Sequence, residues 1–222
     1  MPDYAALTWD GTGTRFYEMG VEKGVLYPMG ANGYEDGVAW NGLTSVTESP
    51  DGAELTDLYA DDIKYASMRS AETFGGTIEA YTYPEAFAEC DGSASPVTGA
   101  YVGQQSRKTF GLCYKTLQGN DTTSEGMYKL HIVYGCTAAP SEKAYETVND
   151  SPDAITFSWE FKTTPVAFTT ETYASLKPTS LIVIDSTKAD ATKLAALEET
   201  LYGSSSANAT LPTPDQVLAA LA

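Results

Sequence analysis

A mainly β fold is predicted for this 222-residue chain by three observations: fifteen tyrosines, glycine and proline recurring at short intervals, and several runs in which apolar and polar side chains alternate. The length suits one generous domain or two small ones. Three segments divide the chain on this reading. Residues 1–42 form an arm with the first strands, residues 43–203 the β core with a flanking helix, and residues 204–222 a linker with a tail helix.

Taken in order, residues 1–42 are rich in Gly, Tyr and Trp without sustained periodicity and predict an arm and loop with short strand pieces. "LTSVTES" (43–49) and "IKYASMRS" (63–70) read as strands on either side of a loop that opens with a Pro-Asp-Gly turn signal. Within that loop Leu55, Leu58 and Tyr59 fall at helical spacing among Glu54, Asp57, Asp61 and Asp62, which suggests a helical turn presenting an apolar stripe. In "GGTIEAYTY", Thr77, Glu79 and Tyr81 share one face of a strand, and Ile78, Ala80 and Thr82 the other.

The clearest alternation follows. Phe110, Leu112 and Tyr114 alternate with Gly111, Cys113 and Lys115; Tyr128, Leu130, Ile132, Tyr134 and Cys136 line one face of the next strand; Ile155, Phe157, Trp159 and Phe161 line one face of a third. Each reads as a half-buried strand with one apolar and one polar face. Residues 140–150 read as strand or loop, and "TSLIVIDST" as a buried strand. Asp190 caps a helix whose stripe is Leu194, Leu197 and Leu201 and whose stop is Gly203, after which "SSSANAT" reads as a linker and "TPDQVLAALA" as a short capped helix that docks onto something else.

Thirty acidic against thirteen basic residues leave a formal charge of −17, which repels phosphate backbones and anionic lipid headgroups. Base reading and polybasic membrane binding are disfavoured. Cys90, Cys113 and Cys136 form an odd, widely spaced set without a CxxC pair, as expected of reduced structural thiols. The first residues lack the basic and apolar regions of a secretory leader, and "LIVI" is too short to span a bilayer, so synthesis in the cytoplasm is expected.

Catalytic equipment is sparse. His131 is the single histidine, sits among strand residues, and has no GxSxG turn to serve; a surface or satisfied group is the expectation. "GTGT" (11–14) lacks the third glycine of a dinucleotide turn, and no GxxxxGK occurs. Asp57, Asp61 and Asp62 have no EF-hand spacing and read as a solvated or subunit-facing acidic loop. Nothing singles out a carboxylate pair for glycoside hydrolysis. No enzyme activity and no cofactor are expected.

The runs "YADDIKYASMRSAETFGGTIEAYTYPEAFAECDG", "GQQSRKTFGLCYKT", "YKLHIVYGCTAAPSEKAYETVNDSPDAITFSWEFKTTPV" and "SLIVIDSTKADATKLAALEETLYG", with "LPTPDQVLAAL" after them, occur in order over most of the chain from about residue 38. Together they resemble the major tail tube proteins of long, non-contractile-tailed bacteriophages. The resemblance implies a sandwich or barrel of two β-sheets flanked by an α-helix, with extended loop and terminal arms. Six copies close into a ring, and rings stack into a hollow tube through which DNA leaves the virion.

The implied partners are further copies of the chain and other tail proteins: the tape measure, the terminator and the distal tail protein. DNA passes without sticking, and no membrane is bound. On this reading Leu55, Asp57, Leu58, Tyr59, Asp61 and Asp62 are contacts between rings or subunits, and Glu72, Thr77 and Glu79 are candidates to line the lumen. The competing expectation is a carbohydrate-binding β-sandwich module that stacks exposed Tyr and Trp on sugars. It predicts a monomer with glycan affinity, whereas the tube reading predicts rings.

Overall fold

The computed structural model describes residues 6–145, 147 and 154–222. The strands of the first half are β1 (Tyr17–Gly30), β2 (Gly33–Tyr34), β3 (Val38–Trp40), β4 (Leu43–Glu48), β5 (Asp51–Gly52), β6 (Leu55–Ala60), β7 (Ile63–Arg69), β8 (Glu72–Thr73) and β9 (Gly75–Ala80). Helix α1 (Phe87–Cys90) precedes β10 (Ala94–Val97), β11 (Ala100–Val102), β12 (Phe110–Gly119), β13 (Met127–Ala138), β14 (Phe157–Thr163) and β15 (Leu181–Asp185). Helices α2 (Ala191–Tyr202) and α3 (Pro214–Leu221) follow. The mainly β expectation holds.

Nine strands form one sheet with the path β2-β1-β12-β13-β14-β9-β4; β3 pairs with β1, and β15 with β13. The sheet turns over on itself at β13. Val133 and Cys136 both point into the same core although two residues intervene, and the register between β12 and β13 slips there. The extra residue forms a β-bulge at Gly135, whose φ of 64° is left-handed and whose missing Cβ leaves room for the Thr164 carbonyl. Before the bulge β13 pairs with β15; after it, with β14. The bulge therefore hands the sheet from one layer to the other.

The inward faces of the two layers meet in one core. Leu26, Phe110, Leu112, Tyr114 and Val133 pack there against Ile78, Ala80, Trp159 and Phe161, with Trp40 of β3 and Phe87 of α1. Trp159 is fully buried and its ring lies edge-on to Phe87, Tyr83 and Trp40 at 5.1, 5.3 and 5.9 Å between centroids.

A second core lies on the opposite face of β1, β12 and β13. There Val25, Tyr27, Cys113, Leu130, Ile132 and Tyr134 meet Leu194, Leu197 and Leu201 of α2 with Leu211 and Val217 around α3. The Asp190 cap and the Gly203 stop of α2 are as expected; the aspartate carboxylate accepts from the Thr192 and Lys193 N–H groups. Tyrosines rivet this helical layer to the sheet: Tyr27 donates to the Leu201 carbonyl, and Tyr134 to the Pro212 carbonyl at 3.0 Å.

Four expectations are corrected. Residues 17–30 are not short pieces of an arm but one 14-residue strand whose Val25, Leu26 and Tyr27 are core residues. β12 and β13 are buried on both faces, not one, because the helices cover the face that alternation assigned to solvent. β15 is a half-buried edge with Val183 exposed rather than a buried strand. The tail helix α3 docks on its own chain, where Val217 is fully buried and Asp215 accepts from the N–H groups of Thr169 and Thr170 at 2.9 and 3.1 Å. Most of the 140–150 reading falls on residues 140–145 and 147, which have no regular structure, and the rest lies outside the described residues.

Candidate assembly surfaces

Between β4 and β9 the chain leaves the core as a hairpin. Its root is the pairing of β5 with β8, and its body that of β6 with β7. The helical turn expected at 55–59 is thus a strand, and the consequence is geometric: Leu58 lies on the opposite face from Leu55 and Tyr59. Residues paired across the ladder share a face. One face carries Leu58 opposite Ala66, Ala60 opposite Ile63 and Thr56 opposite Met68; the other carries Leu55 opposite Arg69, Asp57 opposite Ser67 and Tyr59 opposite Lys64.

The first face is apolar and uncovered, with Leu58, Ile63 and Met68 being 41%, 64% and 61% exposed. Asp57 anchors the second, paired with Lys64 at 2.8 Å and accepting from Ser67 at 2.6 Å, which holds its carboxyl below the usual range. Asp61 and Asp62 form the two-residue tip, with φ of 51° and 60°, both left-handed as a tight hairpin turn requires. Their position is explained by turn geometry. Among the described residues no three His, Cys, Asp or Glu side chains gather as metal ligands would.

Thr77 and Glu79 lie together on the outward face of β9, away from the core that receives Ile78 and Ala80. Glu79 accepts from Ser45 at 2.9 Å. The neighbouring strands extend this face with Thr47 and Ser45 on one side and Glu160 and Ser158 on the other, a ribbon of hydroxyls and carboxylates. Glu72 is separate, on β8 at the hairpin root, so the three lumen candidates are not brought together.

Sequence reading missed the group that ties the hairpin to the core. Glu48 ends β4 immediately before the hairpin and reaches across to β12 and β13, where Tyr114 donates to its Oε1 at 2.6 Å and His131 Nδ1 lies at 2.8 Å. The other ring nitrogen of His131 meets Thr116 Oγ1 at 3.0 Å, and the ring stacks on Tyr114. His131 is a satisfied structural group. Its hydrogen bond is the main reason that the Glu48 carboxyl lies below its ordinary range, with the Tyr114 bond adding to the effect. No periodic pattern signals a contact between residues 48 and 131.

Two other surfaces are apolar and open: Val97, Tyr101 and Val102 on the β10–β11 hairpin, and Leu7, Trp9 and Phe16 ahead of β1. Between α2 and the sheet, Lys115 is 4% exposed; it pairs with Glu198 at 2.7 Å and sits over the Tyr128 ring at 3.9 Å. That pair ties α2 to the sheet. No helix among the described residues is long and apolar enough to cross a membrane.

No curated protein matches the chain. A family model described as phage tail tube protein matches residues 29–206, from the end of β1 into the linker after α2. With most of the chain covered and a curled β sheet flanked by helices beneath the match, the chain belongs to the phage tail tube protein family, a family of structural tail proteins.

Proposed function

We propose that this protein closes into hexameric rings that stack into the hollow tail tube of a long-tailed, non-contractile phage, and that the tube conducts DNA during ejection. The observation that carries this reading is the β6–β7 hairpin. Its face of Leu58, Ile63 and Met68 is too apolar to remain in water on a protein that works alone. Stacking against another copy covers it. Tyr59, Asp57 and Leu55 on the other face meet a different neighbour or solvent, so the two faces have separate roles.

The outward face of β9, with Thr77 and Glu79, is the lumen wall in this reading, where fixed negative charge keeps DNA from adsorbing. Glu72 belongs to the hairpin root and to a ring contact. The partners are the chain itself and the tape measure, terminator and distal tail proteins. The protein is made in the host cytoplasm and ends in the virion.

Charge opposes assembly: six copies, each at −17, carry −102 per ring. Salt or magnesium screens that repulsion over distances of about 10 Å at 0.1 M ionic strength. The test is negative-stain electron microscopy with sedimentation velocity on concentrated protein across a salt and magnesium series. Sixfold rings or tubes that increase with ionic strength are expected. Monomers with glycan affinity would replace the reading with a binding module.

A further inference from the structure

The Pro-Asp-Gly signal that opens the hairpin does more than turn the chain. Asp51 and Gly52 form β5 at the hairpin root, where they pair with Thr73 and Glu72. The Gly52 N–H donates to Oδ1 of the residue just before it, Asp51, at 2.7 Å. Thr73 Oγ1 donates to the Asp51 main-chain carbonyl at 3.3 Å and steadies the peptide unit to which that nitrogen belongs. Gly52 has a φ of 86°, and a Cβ there would meet the Ala71 carbonyl oxygen at 2.6 Å, so the position requires glycine. Both residues are exposed to water.

This geometry brings a main-chain nitrogen to a carboxyl carbon. Oδ1 is bonded to Cγ at about 1.2 Å, so the nitrogen lies within about 4 Å of Cγ. A small rotation of the side chain brings the two into the near-attack range of about 3–3.5 Å. Their union closes a five-membered ring of Gly52 N with Asp51 C, Cα, Cβ and Cγ.

The sequence holds four Asp–Gly pairs that composition treats alike. At Asp36–Gly37 the glycine N–H donates to the Ala209 carbonyl at 2.8 Å, and the carboxylate accepts from Asn208. At Asp91–Gly92 the glycine N–H donates to the Glu89 carbonyl at 3.4 Å, and the carboxylate is held by Arg107 and Lys143. At Asp10–Gly11 it is the main-chain carbonyl of Asp10 that is engaged, by Arg15. Among the described residues, Asp51 alone has its own glycine nitrogen at its carboxyl group.

We infer that Asp51–Gly52 is a site of spontaneous covalent modification, at which the chain converts to isoaspartate. With the carboxyl protonated, Gly52 N bonds to Asp51 Cγ as the Cγ–OH bond breaks, and the departing hydroxyl takes the N–H proton and leaves as water. A second water opens the imide. Attack at Cγ restores aspartate, whereas attack at the former main-chain carbonyl leaves the backbone running through Cβ with the α-carboxylate as the side group. One water leaves and one enters, so no oxidant or cofactor takes part.

Isoaspartate adds one carbon to the main chain at the root, where only two residue pairs hold the hairpin. Both pairs cannot then keep their register, and the face of Leu58, Ile63 and Met68 is re-aimed. Unassembled subunits thus age into copies that no longer stack. That consequence rests on the tube reading, whereas the chemistry does not.

The test stores full-length protein in heavy-oxygen water, digests it in ordinary water and locates the label by peptide fragmentation. Each imide opening adds one heavy oxygen. Label at Asp51 is expected to accumulate about tenfold faster than at Asp36 or Asp91, as positioning of the reacting atoms accelerates closure. In urea the difference disappears, because only the fold distinguishes the pairs. Asp51→Glu keeps the charge but needs a six-membered ring, and gains no label there. Equal labelling of the folded pairs, or a preference that survives urea, overturns the inference.

Sedimentation velocity on fresh and stored samples reads the consequence. Stored parent that has lost ring formation while stored Asp51→Glu retains it supports the ageing of the hairpin. Labelled parent that assembles as well as fresh protein refutes that consequence. Selective labelling in a protein that forms no rings, fresh or stored, upholds the modification and refutes the hexameric tube.

Discussion

Replacing Glu48 with alanine tests whether one carboxylate joins the two layers at the foot of the hairpin. The substitution leaves the phenol of Tyr114, 1% exposed, without its acceptor at 2.6 Å, a loss of about 1–3 kcal/mol for a buried donor. It also removes the bond to His131 at 2.8 Å, worth about 1.5–3 kcal/mol where a charged group takes part. The carboxylate is 31% exposed, so water replaces part of both, and a net loss of about 2–3 kcal/mol is expected.

For a chain of this size that lowers the thermal midpoint by about 4–12 °C. Urea and thermal denaturation at pH 7 read the difference directly. The pH dependence has a defined sign. Glu48 has a folded pKa below its ordinary 4.5, so the folded state binds fewer protons, and its contribution is complete above pH 4.5. As pH falls through the lowered folded value the contribution vanishes, and the variant and the parent converge. Glu48→Gln, which keeps an acceptor for Tyr114, loses less. A Glu48→Ala protein within about 0.5 kcal/mol of the parent at pH 7 would refute the joining role, since that is the range of surface substitutions without such contacts.

Ile63→Asp and Met68→Asp each place a charge on the apolar hairpin face, and on the proposed ring reading sedimentation velocity is expected to find them monomeric under conditions that assemble the parent, with thermal midpoints unchanged because both side chains lie outside the core. Gly135→Ala puts a Cβ against the Thr164 carbonyl at a left-handed φ; a loss of more than about 1 kcal/mol by urea denaturation is expected, more than a flexible loop position would show. Leu197→Ala empties part of the core between α2 and the sheet, with a loss of about 2–5 kcal/mol by the same assay.

Period and capping carried the reading wherever one element answers to one partner. The alternation of Phe157, Trp159 and Phe161, the Ile78 and Ala80 face of β9, and the Asp190 to Gly203 span of α2 were all legible, because each has a single buried face. Legibility failed where a strand serves two cores. Cys113 and Lys115 were assigned to solvent because nothing local announces that α2 will cover them. In β13 the bulge at Gly135 moves Cys136 to the other face, so counting by twos from Tyr128 places it wrongly. At 55–59 the i, i+3, i+4 spacing of Leu55, Leu58 and Tyr59 matches the helical period, and only the ladder with β7 overrides it. The Glu48–His131 bond spans 83 residues and leaves no trace in composition.

The shared position of β13 also sets how the molecule carries force. Its ladder with β12 runs from Met127 to Cys136, while β15 and then β14 grip its other side, and β12 is held in turn along β1. Because ladder bonds stand perpendicular to antiparallel strands, tension applied along β13 loads many of them at once in shear, whereas a pull across the sheet opens them one after another. The molecule is stiff along one axis and peels along another. Mechanical toughness is thus directional within a single copy, before any neighbour contributes.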